Sequence, residues 1–307
     1  MLLSVQSAYV TRDFGMEAGY KLLRDCGFEA IDWNIDLHWD RDAAESGRFS
    51  DSGIFMESPE AVLAYFADEL AEIRKNGLVI TQAHAPFSAY VCATPEMMAH
   101  CIKVYKSCIR LCGAVGCKNL IVHGASCRYN LPHITAEDVW KSNIELYSAL
   151  IPELLETGVT VCLENLFASG KPTITEGICH NPQEAVALID LLNEKAGAEC
   201  FGLCLDTGHL NLMHKHIPTY VRTLGKRIKA LHIHDNDAVS DQHMMPFAGC
   251  FRWKEFIESL KEIGYDCDLS FETFCQYRAE HMEADYVPVF LRAVAGVGEI
   301  FRRKLQQ

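Results

Sequence analysis

No stretch of about 18 consecutive apolar residues occurs anywhere in the 307-residue chain, which argues against a membrane-spanning helix. A basic start leading into an apolar segment is also missing from the opening MLLSVQSAYVTRDFG, so no secretory signal is expected and the expected location is cytoplasmic. Positive charge is scarce: 28 Lys and Arg stand against 41 Asp and Glu, a formal net charge of -13. A field of that sign repels phosphate backbones. The densest basic run, Lys226-Arg227-Ile228-Lys229, lies just before a predicted strand, so no nucleic acid partner is expected. Linkers and low-complexity tracts are missing too. Cysteine is not: there are fourteen. Many sit inside apolar runs, as Cys108 and Cys112 do in KSCIRLCGAV, and they read as reduced core residues rather than as a disulfide framework.

What is present is alternation. Eight short β-rich runs, Leu2 to Gln6, Ala30 to Ile35, Val79 to Ala83, Asn119 to His123, Thr160 to Asn165, Gly202 to Asp206, Ala230 to His234 and Leu269 to Thr273, alternate with amphipathic helical stretches. That pattern belongs to a parallel sheet with crossover helices. Ser58-Pro59-Glu60 opens a helix that stops at Gly77, Thr135-Ala136-Glu137-Asp138 opens one closed by Gly158, and Asn181-Pro182-Gln183-Glu184 offers a further cap. The expected fold class is α/β, a TIM (β/α)8 barrel forming a single domain over residues 1–307, with an open eight-stranded sheet as the competing arrangement. The one long connection, Asp36 to Glu57, is a candidate lid.

The last six predicted strands each finish on a residue able to bind a metal: His84, His123, Glu164, Asp206, His234 and Glu272. In a barrel these side chains converge on one end of the axis. Crowded carboxylates and imidazoles at an apolar mouth repel one another or shift in pKa unless a cation neutralises them. Any one such residue could equally cap the following helix, but six together outweigh that reading. His209 and the loop Asp241-Gln242-His243 could extend the set. His38, His133, His180, His214 and His216 read as surface or supporting residues. His232 is taken to face away from His234, toward a covering helix. Mixed nitrogen and oxygen ligands suit Mn, Co, Zn, Fe or Mg.

The segments HAPF, LENL, LDTGH, HIHDND with the following DQH, and FET resemble, in order and strand, the xylose isomerase-like superfamily of TIM barrels. That superfamily includes sugar-phosphate isomerases and epimerases, ketose 3-epimerases, inosose dehydratases and endonuclease IV, and the resemblance spans nearly the whole chain. In the epimerase branch it implies one ion, commonly Mn or Co, on Glu164, Asp206, His234 and Glu272, with both glutamates moving protons. In the endonuclease IV branch it implies up to three zinc ions on His84, His123, Glu164, Asp206, His209, His234, Asp241, His243 and Glu272.

The surroundings favour the first branch. A duplex-gripping enzyme needs basic, wedge-forming loops near its metals, whereas the segment after the second strand, NIDLHWDRDAAESGRFSDSGIFME, is acidic. Trp33, Asn34 and Phe87 read as walls and hydrogen-bond partners for a small polyol, while Trp39 reads as packing. Arg128, Lys171 and Arg252 read as solvated charge. The expected function is metal-dependent isomerisation or epimerisation of a small sugar, sugar phosphate or related polyol through an enediolate, with Glu164 and Glu272 catalytic. The alternatives are a metal-dependent dehydratase of an inosose-like substrate and an endonuclease IV-like phosphodiester hydrolase with a zinc cluster. One divalent metal (Mn, Co, Zn or Mg) is expected, with up to three allowed. The partner is a small-molecule sugar or polyol; no membrane is involved and a homo-oligomer is allowed.

Overall fold

The computed structural model describes residues 1–39, 53–86, 94–125, 135–170, 173–276 and 283–307. Most of the expected lid, together with Phe87, Arg128, His133 and Lys171, lies outside the described residues.

All eight expected strands form: β1 (Leu3–Gln6), β2 (Ala30–Asn34), β3 (Val79–His84), β4 (Asn119–Ile121), β5 (Thr160–Glu164), β8 (Phe201–Asp206), β9 (Ile228–His232) and β10 (Leu269–Phe271). They make one sheet in the order β10-β1-β2-β3-β4-β5-β8-β9. Pairing is parallel at β10-β1, β1-β2, β3-β4 and β4-β5. A parallel bridge between Ile233 and Phe271 links the two ends of that order. The cyclic pairing is that of a (β/α)8 barrel, so the open sheet is set aside. The strands are buried on both faces, as β8 shows with all six residues buried, because the sheet has no solvated side.

By internal contacts the chain divides into two compact units, Met1–Trp33 with Asp68–Thr81 and Cys204–Gln307, and Asn34–Ala67 with Gln82–Leu203. In the first unit the C-terminal helix Val287–Gln306 covers β1 and β10. It comes close because Gly298 carries no side chain: a Cβ there would stand 2.9 Å from the Phe271 ring and 3.0 Å from Leu3.

In the second unit, Thr135 and Asp138 form the expected capping box and Asn181 accepts from the Gln183 and Glu184 N–H groups. Two expected helices are each broken in two. The one opened by Ser58 runs Pro59–Tyr65 and the next Ala67–Lys75. The one opened by Thr135 ends at Ser148, and Ile151–Thr157 follows with Pro152 in its first turn, where a missing N–H costs nothing. A short antiparallel hairpin, β6 (Phe167–Gly170) with β7 (Thr173–Glu176), was not anticipated. The twelve described cysteines are all free and nine are buried, as a reduced core requires. No described helix is long and apolar enough to cross a membrane.

Candidate metal centre

In the first unit, β8 delivers Asp206, which is fully buried. Its Oδ1 accepts from the His209 N–H at 2.6 Å and so caps the helix Thr207–Leu212. Both of its oxygens also face His234 Nε2, at 3.0 and 2.9 Å. Helix capping and a place in a cluster of candidate metal donors therefore coexist in one carboxylate. Thr207 locks the neighbouring strand end in place, its hydroxyl donating to the His234 carbonyl at 2.6 Å and accepting from the His234 N–H at 2.9 Å. The LDTGH glycine has a steric reason as well: a Cβ on Gly208 would lie 1.9 Å from His234 Cε1.

The loop after β9 brings in Asp241 and His243. His243 stacks on the His234 ring at 4.0 Å and on Phe274 at 4.3 Å. Its Nδ1 donates to the Glu272 carbonyl at 3.0 Å, and its Nε2 meets Asp241 Oδ2, also at 3.0 Å. His209 Nε2 approaches the same Asp241 oxygen at 3.5 Å. Burial works against charge on Asp241, yet hydrogen bonds and charge from His209 and His243 outweigh it and hold the carboxyl well below the usual carboxylate range. Burial likewise opposes charge on His243, but Glu272, Asp241 and Asp206 push its imidazole up to about 9.

The loop itself is tied down by Asp235. This fully buried carboxylate accepts from the N–H groups of Asn236, Phe247 and Phe251 and from Trp253 Nε1, each within 3.0 Å. Nothing in the motif HIHDND separates Asp235 from a ligand by residue type; its role shows only in what the loop folds back to reach.

The expectation for His232 is overturned. Residues two apart on a strand share a face, so His232 points the same way as His234. Its Nε2 meets Asp32 Oδ2 at 3.0 Å, and its Nδ1 faces Glu272 Oε2 at 3.4 Å and Asp206 Oδ2 at 3.9 Å. Of the histidines read as surface or supporting residues, His180 is fully buried. His214 and His216 are exposed, as expected.

In the second unit, β3, β4 and β5 carry His84, His123 and Glu164. His84 Nδ1 donates to the Ala85 carbonyl at 2.8 Å, which leaves Nε2 with its lone pair. That nitrogen lies 3.2 Å from His123 Nε2 and 3.8 Å from Glu164 Oε2, while His123 Nε2 stands 2.9 Å from the same oxygen. The backbone after His123 is held by Asn143, whose side chain bonds both the N–H and the carbonyl of Ala125.

The donors fit a divalent cation. His84, His123 and Glu164 form one set with ligand atoms within 4.8 Å of one another; His234, Asp241 and His243 form a second, and Asp206, His234 and Glu272 a third. Asp241 Oδ1 is buried without a hydrogen-bond partner among the described residues, 4.0 Å from His234 Nε2. Such an oxygen is costly unless a cation meets it. Of the residues expected against a sugar, Trp33 is buried in the first unit, and Asn34 is buried in the second with its Nδ2 donating to Asp36 Oδ1 at 3.2 Å. Trp39 Nε1 reaches His100 Nε2 at 3.4 Å, in keeping with packing.

Parallel strands that pair cyclically and end in carboxylates and imidazoles define a barrel with the donors of a metal site. Residues 20–292 match the xylose isomerase-like TIM barrel family, and the chain belongs to it. The uncharacterized protein y4fM of Sinorhizobium fredii (strain NBRC 101917 / NGR234) is 24% identical over 274 residues, 85% of this chain and 82% of its own. A solved D-tagatose 3-epimerase-like protein is similar with a TM-score of 0.71 at 19% identity, covering 100% of this chain and 97% of that one. The IOLI protein, solved with a bound zinc atom, is similar with a TM-score of 0.66 at 17% identity, covering 99% and 98%.

Proposed function

We propose that this chain is a divalent-metal-dependent isomerase or epimerase of a small sugar, sugar phosphate or related polyol. Glu164, Asp206, His234 and Glu272 hold the ion, and Glu164 and Glu272 carry the proton. The observation behind this reading is that six strands lead into donor side chains, whose ligand atoms gather into sets within 4.8 Å of one another inside each unit. In barrels of this class the strand ends are where chemistry is placed. The likeness to a D-tagatose 3-epimerase-like protein supports the substrate class.

When bound, the cation supplies Lewis-acid stabilisation of negative charge on the substrate's oxygens, worth several kcal/mol. The chain's own residues do the rest. One glutamate takes the proton from the carbon beside the carbonyl and the other returns a proton to a different face or carbon. Glu164 is 2% exposed with His123 Nε2 at 2.9 Å, a partner able to hold a proton against it. Glu272 has His232 Nδ1 at 3.4 Å and His243 Nδ1 at 3.5 Å.

The test is metal analysis of purified protein followed by solvent deuterium exchange into a panel of ketoses, aldoses and inososes. The expected result is a bound divalent ion and deuterium beside the carbonyl of a converted sugar. Glu164→Gln and Glu272→Gln should each abolish turnover; full activity in both rejects the assignment. A dehydratase would show loss of water in the same product analysis.

A second reading rests on the number of donor sets. Three triads within the two units offer more ligands than one ion needs. Two or three tightly bound zinc ions per chain, with cleavage of abasic DNA, would favour a phosphodiester hydrolase.

A further inference from the structure

Asp32 lies outside every motif that marks the candidate centre, yet it touches that centre through one ring. It sits in β2, with its side chain 2% exposed. The backbone around it is fixed: Gln6 of β1 pairs with it in the sheet, and its carbonyl accepts from the Ser7 N–H at 3.2 Å. Its Oδ2 meets His232 Nε2 at 3.0 Å, and the other nitrogen of that 1%-exposed ring faces Glu272 Oε2 at 3.4 Å and Asp206 Oδ2 at 3.9 Å.

We infer that Asp32 is a positioning residue for the metal centre, acting through His232. A carboxylate acceptor at Nε2 keeps the hydrogen on that nitrogen, fixes the ring and leaves the Nδ1 lone pair on the side of the Asp206 and Glu272 carboxylates, where a cation held by them would offset the repulsion. This is how a carboxylate behind an imidazole sets both the tautomer and the angle of a group at a metal. With an amide in place of the carboxylate, the ring can take either tautomer and rotate, and the Asp206–Glu272 pair loses its fixed neighbour. All four residues belong to the first unit, so the argument depends on no other part of the chain. It rests on the proposal above that Asp206 and Glu272 hold the ion.

Asp32→Asn keeps the volume of the side chain and removes its charge. Zinc and manganese affinities of wild type and variant are measured by competition with a chelator, alongside thermal melting of the metal-free proteins. The expected result is a roughly 10- to 100-fold weaker affinity for the variant. The double variant with His232→Gln should be no weaker than His232→Gln alone, because both changes break one connection. A pair that serves only packing would lower the melting temperature and leave the affinity of the folded protein unchanged, and that outcome overturns the role of Asp32. Additive losses in the double variant overturn the path through His232. Should Asp32→Asn fail to fold, Asp32→Ser carries the same comparison. A wild-type protein that binds neither ion rejects the metal reading and this inference together, whereas tight wild-type binding with an unchanged variant rejects this inference alone.

Discussion

The Asp206 carboxylate caps a helix through the His209 N–H while both of its oxygens face His234, and its neighbours explain why the motif around it is so tight. Gly208 leaves the space that the His234 ring fills. Gly208→Ala forces backbone or ring to move, and overpacking of this kind costs about 1–3 kcal/mol. The expected outcome is a lower melting temperature together with weakened metal binding, read by calorimetry and chelator competition. His243 carries a pH consequence. Its folded-state pKa of about 9 lies above the ordinary imidazole value of 6.5, so its contribution is fully present below about pH 6.5 and is lost as pH rises through 9. Urea unfolding of the metal-free protein should show a loss on the order of 3 kcal/mol at most between those limits. An ion held by Asp206, His234 and Glu272 should weaken that dependence, because its charge offsets the carboxylates that favour the protonated ring. Residue types at strand ends were legible because His, Asp and Glu are the side chains that offer nitrogen and oxygen donors to a divalent ion. Which of them support rather than bind was not, since Asp32 and Asp235 look like ligands until their partners across the fold are known.

At the scale of elements, strands were easier to read than helices. Strand runs are short, apolar and bounded by turn residues, and all eight fall within two residues of their expected limits. Helical stretches carry an amphipathic pattern that continues across a break, so nothing in the sequence around Phe66 signals the end of one helix and the start of the next. The β6–β7 hairpin has four residues per strand, too few for an alternation pattern to stand out. The loop after β9 was read as able to add ligands, but its stiffness was invisible. Ala238, His243 and Phe247 all adopt positive φ there, a strain of order 1 kcal/mol or more each that the Asp235 hydrogen bonds offset. Asp235→Ala should free this loop. Limited proteolysis is expected to cut between residues 236 and 252 in the variant but not in the wild type, and metal capacity involving Asp241 and His243 should fall.

For the whole molecule, membership of the xylose isomerase-like TIM barrel family agrees with the alternation of strand and helix from which the fold class was read. Its charge of -13 adds a reason for a cation: drawing several carboxylates together in an already acidic protein is unfavourable without one. Removal of metal should therefore destabilise the entire fold. At a free ion concentration of about 100 times the dissociation constant, the bound state gains about 2.7 kcal/mol. A chelator should lower the melting temperature by several degrees, with recovery when the ion is restored.

The division of the chain into two units also decides what a shortened chain would keep of the donor sets. His84, His123 and Glu164 belong to a unit complete by Leu203, whereas Asp206, His234 and Glu272 belong to one assembled from three separated segments, the last of which contains β10 (Leu269–Phe271) and runs to Gln307. A chain truncated before residue 269 keeps every residue of the first group's unit but lacks Glu272, so its carboxylate-rich set is left incomplete while the histidine-rich set is retained.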